Sequence, residues 1–267
     1  MKLAYYTKNS RMLSDPRVAA LMDALKGGGA VLYPAESSSD IREGTFALLA
    51  IGGDGTFLSA SNLVQGTGVP LLGVNLGRLG FLSENKPEDV ARPLLDGDFK
   101  IEKRTMLRAR CNGRELYALN EVAVSRVSAA MLGIDVSIDS QPLPTYWADG
   151  LLVSTSSGST AYSLSIGGPI CTPQAKVLII APIAPHNLNV RPLVVPETSR
   201  ITIRLHSRDS RLVLAADNVN SVESSDSVVE ISAAPEPLGI IALGKSSFIE
   251  ALRTKLFWGE DVRNSKD

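Results

Sequence analysis

One stretch of the chain restricts its fold more than any other, because it joins an apolar strand to a glycine-rich turn. Phe46 to Ile51 is apolar at every position and runs directly into Gly-Gly-Asp-Gly-Thr at residues 52–56. Continuous apolarity is typical of a central parallel strand covered on both faces. A helical pattern, Phe57 to Val64, follows the turn, which therefore lies where open α/β sheets bind their ligands. The sequence predicts such a sheet with a ligand-binding loop at residues 52–56.

The remaining apolar residues divide the chain into three segments. Residues 1–100 contain further strand and helix patterns and predict an N-terminal Rossmann-like open α/β sheet. Residues 101–237 alternate apolar with polar side chains, as in Ile201 to His206, and predict a C-terminal β-sandwich-like domain. Residues 238–267 return to α/β character, and we expect their strand and amphipathic helix to pack back on the first domain. The apolar side of that helix, Ser246 to Trp258, carries Phe248, Ile249, Leu252 and Leu256.

Composition argues against several classes of protein. With 27 Lys plus Arg against 28 Asp plus Glu, the net charge of −1 provides no basic field for nucleic acid. Two cysteines, Cys111 and Cys171, are too few for a disulfide framework or a thiolate zinc site, and two histidines add no His-rich metal site. Neither a signal-peptide pattern nor an apolar run of about 18 residues occurs. We expect a cytoplasmic protein that binds neither nucleic acid nor membrane.

The glycine loop has the chemistry of a phosphate site. Gly52, Gly53 and Gly55 let the backbone approach phosphate oxygens, and the N-terminus of the next helix adds a positive dipole. Asp54 would repel a phosphate unless it binds a metal on the phosphates or accepts the proton of an attacking hydroxyl. Its alternative role is to cap the helix.

A second loop, Asn75 to Phe81, follows the next apolar strand, Val69 to Val74, and opens on the same edge of the sheet. Arg78 is either a phosphate ligand or a solvated surface arginine. Phe81 either lines the pocket or belongs to the core.

Hydroxyl side chains crowd the segment Asp149 to Ser165, where an apolar strand runs into a glycine-containing helix start. Hydroxyls can bond ribose and base edges, and Tyr162 offers a flat face to a ring. The alternative is ordinary helix capping by Ser and Thr. No G-x-S-x-G pattern surrounds these serines, which argues against a Ser-His-Asp hydrolase.

The C-terminal stretch Gly239 to Ser246 satisfies G-x-x-x-x-G-K-[ST], the P-loop pattern. Its four variable residues are apolar and have the pattern of a strand rather than of a phosphate loop. We interpret the match as chance, with Gly244 at the turn between strand and helix.

Taken together, these segments resemble the NAD kinase family. The glycine loop is shared with lipid kinases and phosphofructokinases, whereas Asn-Glu and Gly-Ser-Thr-Ala-Tyr narrow the resemblance to NAD kinases. The resemblance is carried by residues 52–56, Asn75 to Phe81, Asn120-Glu121, Asp149 to Ser165 with Gly158 to Tyr162 at its centre, Pro185-His186 and Arg191-Pro192.

The resemblance implies transfer of the terminal phosphoryl group of ATP or polyphosphate to the 2′-hydroxyl of the adenosine ribose of NAD, giving NADP. It implies Mg²⁺ as the metal, a homodimer or homotetramer, and Asp54 as catalytic base or metal partner. The phosphate loop would comprise Gly52, Gly53, Thr56 and Arg78. The residues implied to bind substrate are Gly55, Leu58, Phe81, Asn120, Glu121, Asp149, Ser157, Thr160, Ala161, Tyr162 and Ser165.

Three positions depart from the usual pattern of that family. Thr155-Ser156-Ser157 replaces Thr-Pro-Thr, Asn218 follows Asp217 where glycine is usual, and Trp147 stands where many relatives carry a basic residue. The roles of Trp147 and Asp217, the phosphoryl donor and the preference for NAD or NADH stay open. A lipid kinase that shares the glycine loop and a non-catalytic dinucleotide-binding regulator are the two alternative functions.

Overall fold

The structure, a computed structural model, describes residues 1–77, 80–207, 210–244 and 248–258. The chain divides into two compact units. The first comprises Met1–Val64, Val69–Glu102 and the segment from Gly239 onward, and the second comprises Gln65–Gly68 and Lys103–Leu238. Among the described residues, no helix is long and apolar enough to cross a membrane.

The helices are α1 (Pro16–Gly27), α2 (Asp54–Leu63), α3 (Ala91–Asp96), α4 (Tyr162–Ser165) and α5 (Phe248–Leu256). The strands are β1 (Lys2–Tyr6), β2 (Val31–Pro34), β3 (Ala47–Ile51), β4 (Leu71–Val74), β5 (Lys100–Arg104), β6 (Leu107–Cys111), β7 (Arg114–Ala118), β8 (Glu121–Arg126), β9 (Leu132–Ile138), β10 (Gln141–Pro142), β11 (Tyr146–Ala148), β12 (Gly150–Thr155), β13 (Val177–Ile183), β14 (Leu193–Pro196), β15 (Ile201–His206), β16 (Arg211–Ala216), β17 (Val219–Ser224), β18 (Val228–Ala233) and β19 (Leu238–Ala242).

The first unit is built on a six-stranded sheet in the order β2-β1-β3-β4-β19-β5. β1 to β4 pair in parallel, and β19 adds to β4 in parallel, so the C-terminal strand returns to the first sheet. β3 is buried at every residue, as its continuous apolarity predicts. Leu49 and Ile51 on one face share a core with Leu21 and Leu25 of α1. This arrangement leaves the loop after β3 at the carboxyl edge of the sheet.

The second unit consists of two antiparallel sheets that share one apolar core. One sheet has the order β10-β9-β15-β18-β6-β7 with β11 also on β9, and the other has the order β14-β13-β12-β8-β16-β17. In β15, Ile201, Ile203 and Leu205 are buried while Arg204 and His206 are exposed. The period-two alternation therefore encodes a two-sheet sandwich.

The structure differs from the sequence expectations at three elements. α2 begins at Asp54 rather than at Phe57, because the glycine turn itself enters the helix. The expected helix Ser159 to Ile166 is a 3-10 turn, Ser157–Thr160, followed by the single turn α4. Ile249 is 60% exposed although it belongs to the apolar stripe of α5, where Ala251 is the buried residue.

Candidate active site

The glycine loop leaves free space beside the start of α2. Gly52 donates its N–H to the carbonyl of Val74 (2.8 Å) at φ +149°, a conformation that residues with a Cβ rarely adopt. Gly53 precedes α2 and accepts a hydrogen bond from the Thr56 N–H (2.9 Å). A Cβ added at Gly53 or Gly55 would meet no atom within 4 Å. Free space at a helix N-terminus suits an anion, since the first amides of a helix lack partners within it.

Asp54, the first residue of α2, is held by the loop that follows β4. Its carboxylate accepts hydrogen bonds from the backbone N–H groups of Phe81 (2.9 Å), Leu82 (3.2 Å) and Ser83 (2.9 Å). Oδ1 takes two of these bonds and Oδ2 takes one. A carboxylate has about four acceptor positions, so with respect to the described residues Oδ2 keeps capacity for one more donor. In the described residues these bonds connect Asp54 to the loop rather than to α2, so helix capping is not its role.

Gly80 lies directly against this carboxylate. A Cβ at Gly80 would be 1.7 Å from Oδ1 of Asp54, and the Gly80 N–H closes the loop onto the Ser83 carbonyl (3.0 Å). The Ser83 hydroxyl donates to the carbonyl of Gly52 (2.8 Å). The two loops predicted at this edge of the sheet are thus joined by hydrogen bonds, and the close approach requires glycine at position 80.

The C-terminal helix contributes a lysine that sequence reasoning missed. Lys255 of α5 donates a hydrogen bond to the Gly80 carbonyl, and its Nζ lies 4.6 Å from the ring centroid of Phe81. Phe81 is half-buried and also contacts Phe248, with ring centroids 6.3 Å apart. The Phe81 side chain therefore packs against α5. Leu58 of α2 is also half-buried. Arg78, expected among the phosphate ligands, lies outside the described residues.

In the second unit, the Asn120-Glu121 pair forms a turn held by Asp217. The Asp217 carboxylate accepts hydrogen bonds from the backbone N–H groups of Leu119 (2.8 Å), Asn120 (2.9 Å) and Glu121 (3.1 Å). Asp217 lies between β16 and β17 with φ +49°, the left-handed region that Asp and Asn tolerate. Burial raises the pKa of Asp217, and the three amides act in the opposite direction. Asp217 thus supports the turn through its backbone.

The serine-rich segment packs against the same turn. Thr155 donates its hydroxyl to the Leu119 carbonyl (2.6 Å) and its N–H to the Asn120 carbonyl (2.9 Å). A Cβ at Gly158 would be 2.2 Å from the Asn120 carbonyl oxygen, so this approach also requires glycine. The Tyr162 N–H donates to the Glu121 carboxylate. The structure therefore brings Asn120, Glu121 and the segment around Ser157 to Tyr162 together.

Four buried polar atoms in this part of the second unit have no hydrogen-bond partner among the described residues: Asn120 Oδ1, Glu121 Oε2, Ser157 Oγ and Ser163 Oγ. Unsatisfied buried polar atoms are rare in native structures, and a cluster of them indicates a ligand. Burial and the nearby charge of Asp217 raise the pKa of Glu121 to about 8, so its carboxyl can donate a hydrogen bond at neutral pH. Ser163 was missed by sequence reasoning, because one more serine in a serine-rich stretch carries no distinct signal.

The other expected residues occupy more open positions. Asp149 forms an ion pair with Arg126 (2.9 Å), a partner that the sequence did not suggest. Thr160 and Ala161 are half-buried, whereas Tyr162 is 43% exposed and Ser165 is exposed. Trp147, also 43% exposed, donates its N–H to the Asn187 side chain (2.8 Å) and accepts from the His186 N–H (2.7 Å).

The donor set of the glycine loop fits a magnesium ion shared with substrate. Within the described ranges no group of three or more His, Cys, Asp or Glu side chains could form a protein cage for a metal. Mg²⁺ is commonly bound by one or two carboxylates together with substrate phosphates. Asp54, with one acceptor position left on Oδ2 among the described residues, could hold such an ion or accept a proton, but not both at once.

Comparison with known proteins places these features in a family. The family model for the ATP-NAD kinase N-terminal domain matches residues 36–96, and the model for the C-terminal domain matches residues 119–243. An NAD kinase of Flavobacterium psychrophilum is 39% identical over 267 aligned positions, which cover 96% of this chain and 90% of the relative. An NAD kinase of Flavobacterium johnsoniae is 42% identical over 227 positions, which cover 81% of this chain and 77% of the relative.

Two solved structures share the fold. A yeast NADH kinase complexed with NADH superimposes with a TM-score of 0.87 at 22% identity, covering 100% of this chain and 90% of that chain. An NAD kinase from Archaeoglobus fulgidus in complex with ATP superimposes with a TM-score of 0.76 at 27% identity, covering 92% and 95%. From the two domain models and the relatives that span most of its length, the chain belongs to the NAD kinase family.

Proposed function

We propose that this chain transfers the terminal phosphoryl group of ATP to the 2′-hydroxyl of the adenosine ribose of NAD and so forms NADP. The observation that carries the proposal is Asp54, a carboxylate fixed by three backbone amides at the open N-terminus of α2 with one acceptor position left. Family membership supports both the reaction and ATP as donor.

Asp54 accepts the proton of the attacking hydroxyl through Oδ2. A ribose hydroxyl is far too weak an acid to ionise near neutral pH, so a base within hydrogen-bond reach assists its attack on phosphorus. The amides of Phe81, Leu82 and Ser83 keep the carboxylate oriented, which limits the reorganisation needed in the reaction.

The phosphates of the donor lie at the start of α2, where Gly53 and Gly55 leave room and the helix dipole favours negative charge. The chemistry that Mg²⁺ would supply is neutralisation of charge on the transferring group; it would be carried by the donor phosphates, since the remaining position on Oδ2 of Asp54 takes the hydroxyl proton. Localised interactions of this kind suit a chain whose net charge is only −1.

The second unit supplies the groups that recognise the dinucleotide. The unpartnered atoms of Asn120, Glu121, Ser157 and Ser163 offer both donors and acceptors to ribose hydroxyls and base edges. The exposed ring of Tyr162 offers a face for stacking. Their mutual hydrogen bonds hold these groups in place before the substrate arrives.

We also propose a cytoplasmic homodimer or homotetramer that uses Mg²⁺. Both cysteines are free, which suits a reducing compartment. Polyphosphate as an alternative donor and NADH as an alternative acceptor are tested directly, by supplying each in place of ATP or NAD in the same assay. Mass photometry of the purified protein tests the assembly.

The test of the activity is NADP formation by purified protein with ATP, Mg²⁺ and NAD. Asp54→Asn is expected to abolish turnover while calorimetric NAD binding persists, because the base is lost and the second unit is unchanged. Asp40→Asn is the matched control, since Asp40 also accepts backbone amides, from Glu36 (2.9 Å) and Ser37 (2.8 Å), outside the glycine loop.

Two outcomes would contradict the proposal. Phosphorylation of diacylglycerol or a sphingoid base without NADP formation would make the chain a lipid kinase. NAD binding with no turnover from ATP or polyphosphate would make it a non-catalytic regulator.

A further inference from the structure

The peptide group between Gly80 and Phe81 is hydrogen-bonded at both ends by charged side chains. Its carbonyl accepts a bond from the ammonium of Lys255, and its N–H donates to Oδ2 of Asp54 (2.9 Å). The peptide belongs to the loop after β4, Asp54 to α2 and Lys255 to α5, so the three groups come from distant parts of the sequence. A single peptide thus connects α5 to the carboxylate at the start of α2.

Packing restricts Lys255 to this position. Its Nζ lies over the ring of Phe81 at 4.6 Å from the centroid, and Phe81 in turn contacts Phe248 at the beginning of α5. Desolvation lowers the pKa of Lys255, whereas the negative charges of Glu84 and Asp54 raise it. Lys255 is half-buried, unlike the exposed Arg253 on the same helix.

We propose that Lys255 is a positioning residue of the phosphoryl-transfer site, which holds the Gly80–Phe81 peptide so that its N–H stays on Asp54. A cation on the carbonyl oxygen polarises the peptide group and makes its N–H a stronger donor. The Phe81 N–H and the substrate hydroxyl would share Oδ2 of Asp54. The bond from Phe81 therefore sets the orientation of the acceptor position that remains on this oxygen. The expected change in kcat rests on the proposed function, whereas the expected change in hydrogen exchange does not.

The structural consequence is tested by hydrogen exchange of the backbone amides at residues 81–83. Lys255→Met removes the ammonium while keeping an apolar stem over Phe81, and we expect these amides to exchange about tenfold faster. Arg253→Met is the matched control, because it removes the same charge from an exposed position on α5, and it should leave residues 81–83 protected. Unchanged exchange in Lys255→Met, or an equal increase in Arg253→Met, would overturn the proposal.

The kinetic consequence is a fall in kcat for NADP formation of about tenfold to a hundredfold in Lys255→Met, with little change in KM for NAD. Lys255→Arg should recover part of the loss, because a guanidinium can also donate to the carbonyl. Ala251→Gly weakens α5 at its buried residue without touching the peptide, and it should lower kcat much less.

A kcat loss in Ala251→Gly as large as in Lys255→Met would show that α5 acts only by packing and would refute the positioning role. The two proposals fail separately. Absence of NADP formation by the wild-type protein refutes the proposed function, whereas the exchange measurement decides the role of Lys255 in either case.

Discussion

At the scale of single residues, the glycine loop depends on contacts that a methyl group would abolish. Gly80 lies against Asp54 so closely that any side chain must displace the carboxylate or the loop, whereas Gly53 and Gly55 face free space. Glycine therefore serves two different purposes here. At position 80 it permits a close contact inside the protein, and at positions 53 and 55 it leaves open space beside the start of α2.

Gly80→Ala is expected to reduce NADP formation by at least about a hundredfold, because a Cβ placed 1.7 Å from Oδ1 forces Asp54 out of position. Steady-state kinetics and a thermal melt of the same sample measure the effect. Gly27→Ala, at the end of α1 with no atom within 4 Å of the added Cβ, is the control and should keep full activity. Full activity in Gly80→Ala would show that this contact is dispensable.

The buried carboxyl of Glu121 predicts a pH-dependent stability. Burial and the charge of Asp217 raise its pKa from 4.5 to about 8, so between these values the folded chain keeps a proton that the unfolded chain has lost. The stabilisation that Glu121 contributes is therefore complete below about pH 4.5. As the pH rises towards 8, the free energy of unfolding falls by about 1.4 kcal/mol per pH unit.

Glu121→Gln should therefore flatten the decline in the free energy of unfolding between pH 5 and 8, because its side chain does not titrate. Urea denaturation at several pH values measures this. Glu236→Gln, an exposed change of the same kind, should follow the wild-type curve. Parallel curves for Glu121→Gln and wild type would contradict the raised pKa.

At the scale of elements, the hairpin β16–β17 supports the turn at residues 119–121. Asp217 at its tip accepts three amides from residues 119–121, and Thr155 at the end of β12 donates to the same turn. Asp217, whose role the family resemblance left open, thus fixes this turn through hydrogen bonds to its backbone. α5 has a comparable relation to the loop after β4, because Lys255 donates a hydrogen bond to the Gly80 carbonyl.

Asp217→Asn replaces one acceptor oxygen by a donor NH₂ that faces backbone amides. We expect a loss of about 1–3 kcal/mol in the free energy of unfolding and a KM for NAD raised about tenfold, with a smaller effect on kcat. Denaturation and steady-state kinetics measure both.

Asp139→Asn is the control for Asp217→Asn, since Asp139 also has a positive φ (50°) and accepts one backbone amide, that of Arg200 (2.8 Å). It should change KM little. An unaltered KM for NAD in Asp217→Asn would show that the turn does not depend on this carboxylate.

At the scale of the whole molecule, the two units have separate apolar cores. Separate cores allow the units to open independently, because each core is formed by residues of one unit. Leu178→Ala in the second unit is expected to cost about 2–5 kcal/mol and to raise hydrogen exchange mainly in the strands of that unit.

Leu25→Ala should give the reciprocal pattern, with faster exchange in the strands of the first unit. Hydrogen exchange with peptide-level mass spectrometry distinguishes the two patterns. A uniform increase over both units in either variant would indicate a single cooperative core.

Local sequence patterns predicted the class of each unit and the position of the glycine loop, and short motifs predicted the family. These features depend on local information: six apolar residues before a glycine turn predict a buried parallel strand, and period-two alternation predicts a sandwich. The comparisons confirmed the family, and the neighbouring structures confirmed the fold class. The roles of the individual site residues remain proposals.

The hydrogen-bond partners of Asp54, Asp217 and Lys255 are set by the fold and not by the neighbouring sequence. Asp54 bonds amides 27 to 29 residues further on, Asp217 bonds amides 96 to 98 residues earlier, and Lys255 reaches a carbonyl 175 residues away. A carboxylate or an ammonium can satisfy its hydrogen bonds with any backbone group of the right polarity, so residue type does not specify the partner. The partner is set by the fold, which brings segments that are distant in sequence close together in space.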